Sequence, residues 1–378
     1  MNKHYFDYAA ATPMSPAVLK SMQTYYTDKF YNPSALYLSA QEVKSHISEA
    51  RASLARILGA KSSEIVFTAG GTESDNLAIR GVMEQFPDAN CIVSSIDHDA
   101  VLVAAKKYEH KIAPVMPDGR LDLAELVRLI NDATVLISII YANNEIGTIQ
   151  PMHDIAKELD KIRQLRQESG NDLPLYLHTD ACQAANTLPL LVNTLGVDLM
   201  TLNGGKIYGP KQSGILYVKT GTKLKAQIVG GGQERSLRSG TENVPAIIGF
   251  ARALYETAEI KTDENQRLKL LQAYFIDYLG QKVPSALING SLKHRLSNNI
   301  HITLSGFDNE TLMMRLDEAG FMVATGSACS ASSDEPSHVL KAIGLSDENA
   351  RSSLRISLGR QSSEAEIKQL LDTLARFV

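Results

Sequence analysis

The chain has 378 residues, and its 38 Lys plus Arg against 42 Asp plus Glu give a formal net charge of -4. Without a basic excess, we expect no direct nucleic-acid binding through phosphate contacts. Three cysteines are too few for a disulfide framework, and residues 1–7 lack a signal-peptide pattern. The few cysteines predict a reducing, cytoplasmic compartment, and because no apolar run is long enough to cross a membrane, we expect no membrane contact.

From about Ser15 to Leu254, short β-branched runs alternate with amphipathic helical runs. This alternation favours a mostly parallel sheet with helices on both faces. Because ligands of such sheets bind at the carboxyl ends of the strands, the residues after each strand are candidates for function. The predicted strands are Glu64–Thr68, Cys91–Ile96, Val135–Tyr141, Leu175–His178, Asp198–Leu202 and Gly214–Val218.

A polar helical stretch that begins near Thr262 predicts the start of a second unit. Ser363 opens a final helix with acidic residues in its first turn, which suits the helix dipole. We therefore predict a large domain over residues 15–258 and a small domain that combines residues 1–14 and 259–378. The predicted elements between these points are strands at Asn299–Leu304, Phe321–Ala324 and Leu354–Leu358 and a helix over Glu310–Ala319.

A Gly-rich turn, Ala69-Gly-Gly-Thr72, follows the first predicted strand and leads into a helical run. Such a turn gathers free N–H groups at the positive end of a helix dipole, which suits an anion such as a phosphate. Taken alone, an ordinary tight turn is the simpler interpretation, because single Gly-rich turns are common.

Two further polar residues follow predicted strands. Asp180 follows Leu175–His178, and Lys206 lies among glycines after Asp198–Leu202. An Asp at this edge can keep a pyridinium nitrogen protonated, and a lysine flanked by glycines can reach a cleft as a Schiff-base lysine must. Taken alone, Asp180 has a helix N-cap as its alternative role, and Lys206 has an ordinary solvated lysine as its alternative. Together with the Gly-rich turn, the two residues favour a pyridoxal phosphate site.

A series of short segments extends this pattern in order over nearly the whole chain. They are Asp7-Tyr-Ala-Ala-Ala-Thr-Pro13, Asn32-Pro-Ser34, Thr72-Glu-Ser-Asp-Asn76, Asp97-His98, Asn143-Asn-Glu-Ile-Gly147, Asp180-Ala-Cys-Gln183, Lys206-Ile-Tyr-Gly-Pro210, Arg238-Ser-Gly-Thr241, Gly326-Ser-Ala-Cys329 and Ser357-Leu-Gly-Arg360. With these segments the sequence resembles the cysteine desulfurases, the NifS/IscS-like group of the class V aminotransferase family. The resemblance implies the aspartate-aminotransferase-like fold type I, an α/β fold with a mostly parallel seven-stranded sheet and a smaller α+β domain.

The resemblance implies an enzyme that converts L-cysteine to L-alanine and transfers the sulfur to an enzyme cysteine as a persulfide. It implies pyridoxal 5'-phosphate as the cofactor, no metal, and a homodimer. A sulfur-acceptor protein, such as an iron–sulfur scaffold or a tRNA-thiolation enzyme, would receive the sulfur. The alternatives are a selenocysteine lyase or another class V enzyme, such as a transaminase, and a non-catalytic protein that has lost its cofactor.

The resemblance also implies roles for residues around the cofactor ring. Lys206 would bind the cofactor covalently and shuttle the substrate proton, and His98 would stack on the ring and assist that transfer. Asp180 would pair with the pyridine nitrogen, Gln183 with the phenolic oxygen, and Asn144 would also contact the cofactor.

Around the phosphate and the substrate, the resemblance implies a second set of residues. Gly71 and Thr72 would hold the phosphate, and Thr241 would reach the phosphate of the other subunit's cofactor. Asn32, Asn144 and Arg360 would bind the substrate, with Arg360 forming a bidentate pair with its carboxylate. Arg355 is interpreted as structural.

The resemblance assigns the nucleophile to Cys329, which lies in the run Thr325-Gly-Ser-Ala-Cys-Ser-Ala-Ser-Ser-Asp334. Small and polar residues of this kind suit a mobile loop, whereas a buried structural cysteine more often lies in an apolar run, as Cys91 does. Cys182 lies beside the cofactor residues in sequence and is interpreted as a packing residue.

Three positions depart from the family pattern. The usual Ser-x-His-Lys is Asn203-Gly-Gly205-Lys206 here, so two side-chain contacts to the phosphate are lost or altered. Tyr37 stands where a His usually follows Asn-Pro-Ser. We still assign Asn203 and Gly205 to cofactor binding, and we expect the changes to affect affinity for pyridoxal phosphate more than the chemistry.

Overall fold

The computed structural model describes residues 3–326 and 335–378. Its strands form a seven-stranded, a three-stranded and a two-stranded sheet. In chain order the strands are β1 (His4–Tyr5), β2 (Ile65–Thr68), β3 (Asn90–Ser94), β4 (His110–Ala113), β5 (Thr134–Ser138), β6 (Tyr176–Asp180), β7 (Leu199–Asn203), β8 (Gly214–Val218), β9 (Leu287–Ile288), β10 (Asn299–Thr303), β11 (Phe321–Met322) and β12 (Ser353–Ser357).

Helices pack on both faces of the large sheet and on the smaller sheets. In chain order they are α1 (Pro16–Thr27), α2 (Leu38–Leu58), α3 (Gly71–Gln85), α4 (Asp99–Ala105), α5 (Leu123–Leu129), α6 (Met152–Ser169), α7 (Val192–Leu195), α8 (Val244–Lys282), α9 (Asn309–Glu318), α10 (His338–Ala342), α11 (Asp347–Ala350) and α12 (Glu364–Leu374). Within the described ranges, none of these helices is both long and apolar enough to cross a bilayer.

The large sheet has the strand order β2-β8-β7-β6-β5-β3-β4. Strands β3 to β7 pair in parallel, and β8 runs antiparallel to both β7 and β2. Strand β2 therefore points the same way as β7, and the carboxyl ends of β2, β3, β5, β6 and β7 meet at one edge. The prediction of a mostly parallel seven-stranded sheet is confirmed.

The six strands predicted for this sheet all occur, Gly214–Val218 with the predicted ends and the other five with shifted ends, and one strand was not predicted. That strand, β4, has the sequence His110-Lys-Ile-Ala113 and lies at the edge of the sheet beside β3. An edge strand needs few apolar side chains, so its sequence carries only a weak strand signal.

A second hydrophobic core lies between the small sheets and helices α8, α9 and α12. Helix α8 links the two cores, because its first half buries Phe250 in the large core and its second half buries Phe275 in the small one. The prediction that a helix begins near Thr262 was wrong. Helix α8 begins after its N-cap Asn243, and no residue near Thr262 interrupts its 39 residues. We propose that the domain boundary near residue 258 lies inside this continuous helix.

The N-terminal segment joins the small unit to the edge of the large sheet. Strand β1 pairs with β11, and Asp7 then bridges Ser357 at the end of β12. A few residues later, Thr12 N donates to Gly205 O at 3.1 Å. Residues 7–12 therefore lie between β12 and the turn that carries Lys206.

A left-handed turn at residues 234–236 is anchored on the edge strand β2. Glu234, Arg235 and Ser236 have φ values of 46°, 57° and 63°, and left-handed backbone costs a non-glycine residue roughly 1–2 kcal/mol. The Glu234 carboxylate, 7% exposed, accepts two bonds from Arg51 at 2.6 and 2.7 Å and one from Phe67 N at 2.8 Å. This buried ion pair offsets the strain and fixes the segment that leads to Thr241.

Glu234→Ala should lower the free energy of unfolding by about 3 kcal/mol, because Arg51 loses its partner in a largely buried position. Urea denaturation measures this change. The matched control is Glu158→Ala, which breaks the exposed Glu158–Lys161 pair and should cost less than about 1 kcal/mol. Equal losses in the two variants would contradict the anchoring role of Glu234.

Candidate active site

Two adjoining cavities lie at the carboxyl edge of the large sheet. Their volumes are about 620 and 80 Å³. The residues that line both are Ala10, Gly71, Thr72, Asn203 and Lys206. The N-terminal segment, the β2–α3 turn and the end of β7 therefore meet at one site.

Lys206 lies in the turn after β7 and extends its amino group into this site. Its Nζ donates to the main-chain oxygens of Ala9 at 2.9 Å and Ala10 at 2.6 Å. Burial lowers the pKa of Lys206, because the ammonium loses hydration. A lowered pKa increases the share of neutral, nucleophilic amine near neutral pH.

Buried carboxyl groups come close to the same site. Asp180 ends β6, is 6% exposed, and accepts a hydrogen bond from Cys182 N at 2.9 Å. Asp75 on α3 lines the smaller cavity, and its Oδ1 has no hydrogen-bond partner in the described part of the chain. Burial raises the pKa of Asp75, and the nearby charge of Asp180 raises it further. We therefore expect a neutral Asp75 beside the carboxylate of Asp180.

His178 lies beneath these acids within the sheet. Its Nδ1 is 2.8 Å from Ser138 Oγ, and its Nε2 is 3.1 Å from Thr201 Oγ1 and 3.7 Å from Asp75 Oδ1. Burial lowers the pKa of His178 to about 4, so the imidazole is neutral at physiological pH. It therefore supplies no positive charge to the buried acids.

The β2–α3 turn presents free donors to the larger cavity. Gly70 has φ 140° and ψ -175°, a conformation that is open to glycine and strained for other residues. The first hydrogen bond inside α3 runs from Ser74 N to Gly70 O, so the N–H groups of Gly71, Thr72 and Glu73 precede it. These donors and the helix dipole form an anion site.

Three further predicted residues line the smaller cavity: His98, Asn144 and Gln183. His98 caps α4, and its Nδ1 accepts from Ala100 N at 3.1 Å, which leaves Nε2 as the protonated nitrogen. Gln183 Nε2 donates to Ala9 O at 2.9 Å. The end of β3, the loop after β5 and the end of β6 thus contribute to one site.

Arg355 also lines the smaller cavity and is only 1% exposed. Its Nη2 donates to Asp7 Oδ1 at 2.7 Å, and its Nη1 donates to Asn144 O at 3.2 Å. Its Nε has no partner among the described residues. A buried guanidinium with a free N–H beside a cavity is suited to bind an anionic ligand.

Comparisons with known proteins identify the family. Residues 4–370 match the model of the Aminotransferase class-V family. The chain is 41% identical over 382 residues to the cysteine desulfurase IscS of Dictyoglomus turgidum, covering 99% of this chain and 94% of that relative. It is also 41% identical to IscS of Methanosarcina thermophila, covering 99% and 91% of the two chains. The chain belongs to the class V aminotransferase family.

Solved structures agree with this class V assignment. A NifS-like protein superposes with a TM-score of 0.90 at 32% identity, covering 99% of both chains. The NifS-like protein of Rickettsia africae superposes with a TM-score of 0.89 at 30% identity over the whole of both chains. Within class V, the chain is therefore a member of the NifS/IscS-like cysteine desulfurase group.

Class V enzymes of this group depend on pyridoxal phosphate, and so does this chain. The site residues fit that cofactor. A lysine amine, a buried carboxylate and an anion-binding helix end line adjoining cavities, and Asp75, whose Oδ1 has no partner among the described residues, also lines the smaller one. Lys206, Asp180 and the turn at Gly71–Thr72 are thus suited to the aldehyde, ring and phosphate of one ligand.

Three predicted site residues lie outside these two cavities. Arg360 stacks on Tyr208 with its guanidinium carbon 3.9 Å from the ring centroid, and it donates to Thr257 Oγ1 at 3.1 Å. Asn32 is exposed and accepts from Ser34 N. Thr241 lines a separate cavity of about 170 Å³. Both side-chain contacts of Arg360 therefore hold its guanidinium away from the two cavities that Lys206 lines.

Cys329 lies outside the described residues. The three positions that depart from the family pattern lie within the described residues. A Cβ on Gly205 would be 3.4 Å from Asn203 Oδ1 and 3.7 Å from Lys211 Cγ, so the position has room for a side chain. Asn203 Oδ1 accepts from Gly205 N at 2.9 Å, while Tyr37 caps α2 with 55% of its surface exposed.

Sequence reasoning missed two residues of the site, Arg355 and Asp75. Arg355 alternates with apolar residues in Leu354–Leu358, and a buried arginine in such a strand signals a required partner. Asp75 lies one helical turn after Gly71, so it shares a helix face with the phosphate turn. Both signals are readable in the sequence, but neither identifies the partner.

The thiol of Cys182 faces the smaller cavity, and burial raises its pKa well above the usual value of 9. Burial raises the pKa of Cys91 to about 12. Both thiols should therefore stay protonated near neutral pH and react poorly as nucleophiles.

Iodoacetamide at pH 8 should alkylate Cys91 and Cys182 of the folded protein at least roughly a hundredfold more slowly than in urea, because little thiolate is present. Peptide mass spectrometry at timed intervals measures both rates. Rapid labelling of Cys182 in the folded protein would contradict the assignment of this residue to packing.

Proposed function

We propose that this chain is a cysteine desulfurase that converts L-cysteine to L-alanine and passes the sulfur to its own Cys329. The observation that carries the proposal is that Lys206, Asp180 and Arg355 line one cavity at the sheet edge. An amine, a carboxylate and a guanidinium are the groups needed for a pyridoxal aldehyde, its ring nitrogen and an amino-acid carboxylate. The full-length similarity to cysteine desulfurases supports the same reaction.

The cofactor would be held at three points. Lys206 would bind its aldehyde, Asp180 its ring nitrogen, and the N–H groups of Gly71 and Thr72 its phosphate. Asn203 would add a donor, because its Oδ1 is engaged by Gly205 N and its Nδ2 lies 3.4 Å from a Cβ built on Gly71. When bound, pyridoxal phosphate supplies an electron sink that acidifies the α-carbon of an amino acid.

The remaining cavity residues would orient the ring and move protons. His98 would stack on the ring, Gln183 would donate to its phenolic oxygen, and Asn144 would contact cofactor and substrate. Lys206, once released by the incoming amino acid, would take the proton from the α-carbon. Its lowered pKa keeps the amine available as a base near neutral pH.

Arg355 replaces Arg360 in our proposal as the group that binds the substrate carboxylate. Asp7 holds one terminal nitrogen of Arg355, the residue lines the smaller cavity, and its Nε has no partner among the described residues. Arg360 would instead fix the turn after Lys206, because Arg360 N donates to Tyr208 Oη at 2.8 Å. Asn32 remains proposed for substrate binding on the family resemblance alone.

Cys329 would accept the sulfur as a thiolate. It attacks the substrate sulfur, the bond from that sulfur to the β-carbon breaks, and the β-carbon keeps the electron pair and then gains a proton. The products are a Cys329 persulfide and alanine. The exchange balances without an outside oxidant or reductant.

We also propose that the protein is a homodimer, in which Thr241 would reach the phosphate of the other subunit's cofactor. An acceptor protein in iron–sulfur assembly or tRNA thiolation would receive the persulfide sulfur. The few cysteines of the chain, with Cys91 and Cys182 free, favour a reducing compartment such as the cytoplasm.

Lys206→Ala should abolish turnover, because the α-carbon proton loses its acceptor.

Cys329→Ser should retain the cofactor absorbance and its change on adding cysteine, yet form no alanine or sulfide, because binding and sulfur transfer use different groups. Absorbance spectra with alanine and sulfide assays measure both. The matched control is Cys182→Ser; its inactivity together with an active Cys329→Ser would reverse the assignment of the nucleophile.

Arg355→Lys should raise the KM for cysteine by about tenfold or more, because a charged hydrogen bond worth about 1.5–3 kcal/mol is lost. Arg360→Lys should change KM by less than about threefold. Steady-state kinetics over a range of cysteine concentrations measure both. A larger rise in KM for Arg360→Lys than for Arg355→Lys would instead assign the substrate carboxylate to Arg360, as predicted from the sequence.

A further inference from the structure

The amino group of Lys206 is held by main-chain atoms of the N-terminal segment. Its Nζ lies 2.9 Å from Ala9 O and 2.6 Å from Ala10 O. An ammonium has three donors and no acceptor, so a pair of carbonyl oxygens is suited to its charged form. The two short bonds therefore favour the protonated state of an amine that burial pushes toward the neutral state.

A turn over residues 7–11 fixes the two carbonyl oxygens. Ala10 N donates to Asp7 O at 3.0 Å and closes the turn. The hydroxyl of Tyr5 lies 2.8 Å from Asp7 O and 2.9 Å from Ala11 O, so its proton joins both ends of the turn. Tyr5 is the side chain that locks this turn from within the N-terminal segment.

The rest of the molecule anchors the same turn. Ala9 N donates to Ser357 Oγ at 2.9 Å, and the Asp7 carboxylate pairs with Arg355 at 2.7 Å. These anchors come from β12, so they fix the turn relative to the small unit. Lys206 belongs to the large sheet, so the bonds from its Nζ connect the two units at the site.

Charged and titratable groups face Lys206 from several elements. Asp180 and the Cys182 thiol come from the end of β6, Asp7 from the N-terminal segment, and Arg355 from β12. Asp75 on α3 and His98 before α4 line the same cavity. The two acids that act on Lys206 are offset in part by Arg355, which leaves the Ala9 and Ala10 oxygens as its direct acceptors.

We propose that Ala9 O and Ala10 O stabilise Lys206 as an ammonium while it carries the substrate proton, and that Tyr5 is the positioning residue that fixes them. This inference rests on the proposed function, because it concerns the proton that Lys206 takes from the substrate. Main-chain oxygens are suited to this task, because they are too weakly basic to take the proton itself. The proton therefore stays on Lys206.

The test follows the pH dependence of pyridoxal phosphate capture by cofactor-depleted protein. Capture needs the neutral amine, so its midpoint reports the pKa of Lys206. Borohydride trapping with peptide mapping assigns the signal to Lys206. Tyr5→Phe removes the hydroxyl that joins the ends of the turn, and Ala10→Pro removes the Ala10 N–H that closes it. In both variants a looser turn weakens the bonds from Lys206 Nζ to Ala9 O and Ala10 O, which destabilises the ammonium. We expect the midpoint to fall by about one pH unit, a tenfold change in proton affinity.

The matched control is Tyr8→Phe, whose hydroxyl contacts Gln361 Oε1 at 3.4 Å instead of the turn. Its midpoint should equal that of the unaltered protein. A role confined to structure would lower the melting temperature and leave every midpoint in place. Unchanged midpoints in both Tyr5→Phe and Ala10→Pro overturn this inference, whereas failure of the unaltered protein to capture pyridoxal phosphate overturns the proposed function.

Discussion

A buried lysine amine is the constraint on which the site depends. Removing an ammonium from water is costly, so the surroundings of Lys206 must supply acceptors for its charged form and leave the neutral form accessible. The site meets both needs with two main-chain oxygens at 2.6 and 2.9 Å and with carboxylates that act from a greater distance. The amine thus has acceptors for its charged form in a cavity whose burial favours its neutral form.

Distant parts of the chain supply the groups that surround the Lys206 amine. The parallel strands bring the residues after β2, β6 and β7 to one edge, and the N-terminal segment adds Asp7 and the oxygens of Ala9 and Ala10. Strand β12 adds Arg355, so a substrate carboxylate bound there would lie between the two units. A ligand that needs groups from both units stabilises their mutual arrangement when it binds.

The sequence was sufficient to predict the strands whose apolar runs are buried on both faces, and the polar residues that end them. It failed where local pattern does not determine structure. A polar stretch near Thr262 resembles a helix start, yet it continues α8, because packing on two cores sustains a helix through residues that alone would end it. The contrast between Arg355 and Arg360 is of the same kind. The family pattern carries Arg360 alone, whereas the ion pair of Arg355 with Asp7 and the stacking of Arg360 on Tyr208 form only in the fold.

The continuous helix α8 has a mechanical consequence. At 1.5 Å per residue its 39 residues span about 58 Å, and its two halves belong to different hydrophobic cores. A flexible linker would let the cores rotate freely, whereas a helix resists bending and transmits a displacement of one end to the other. Bending α8 between its two halves would break main-chain hydrogen bonds, so the helix opposes a change in the angle between the units. The same helix carries side chains of both cores, so its unfolding would remove packing from each of them.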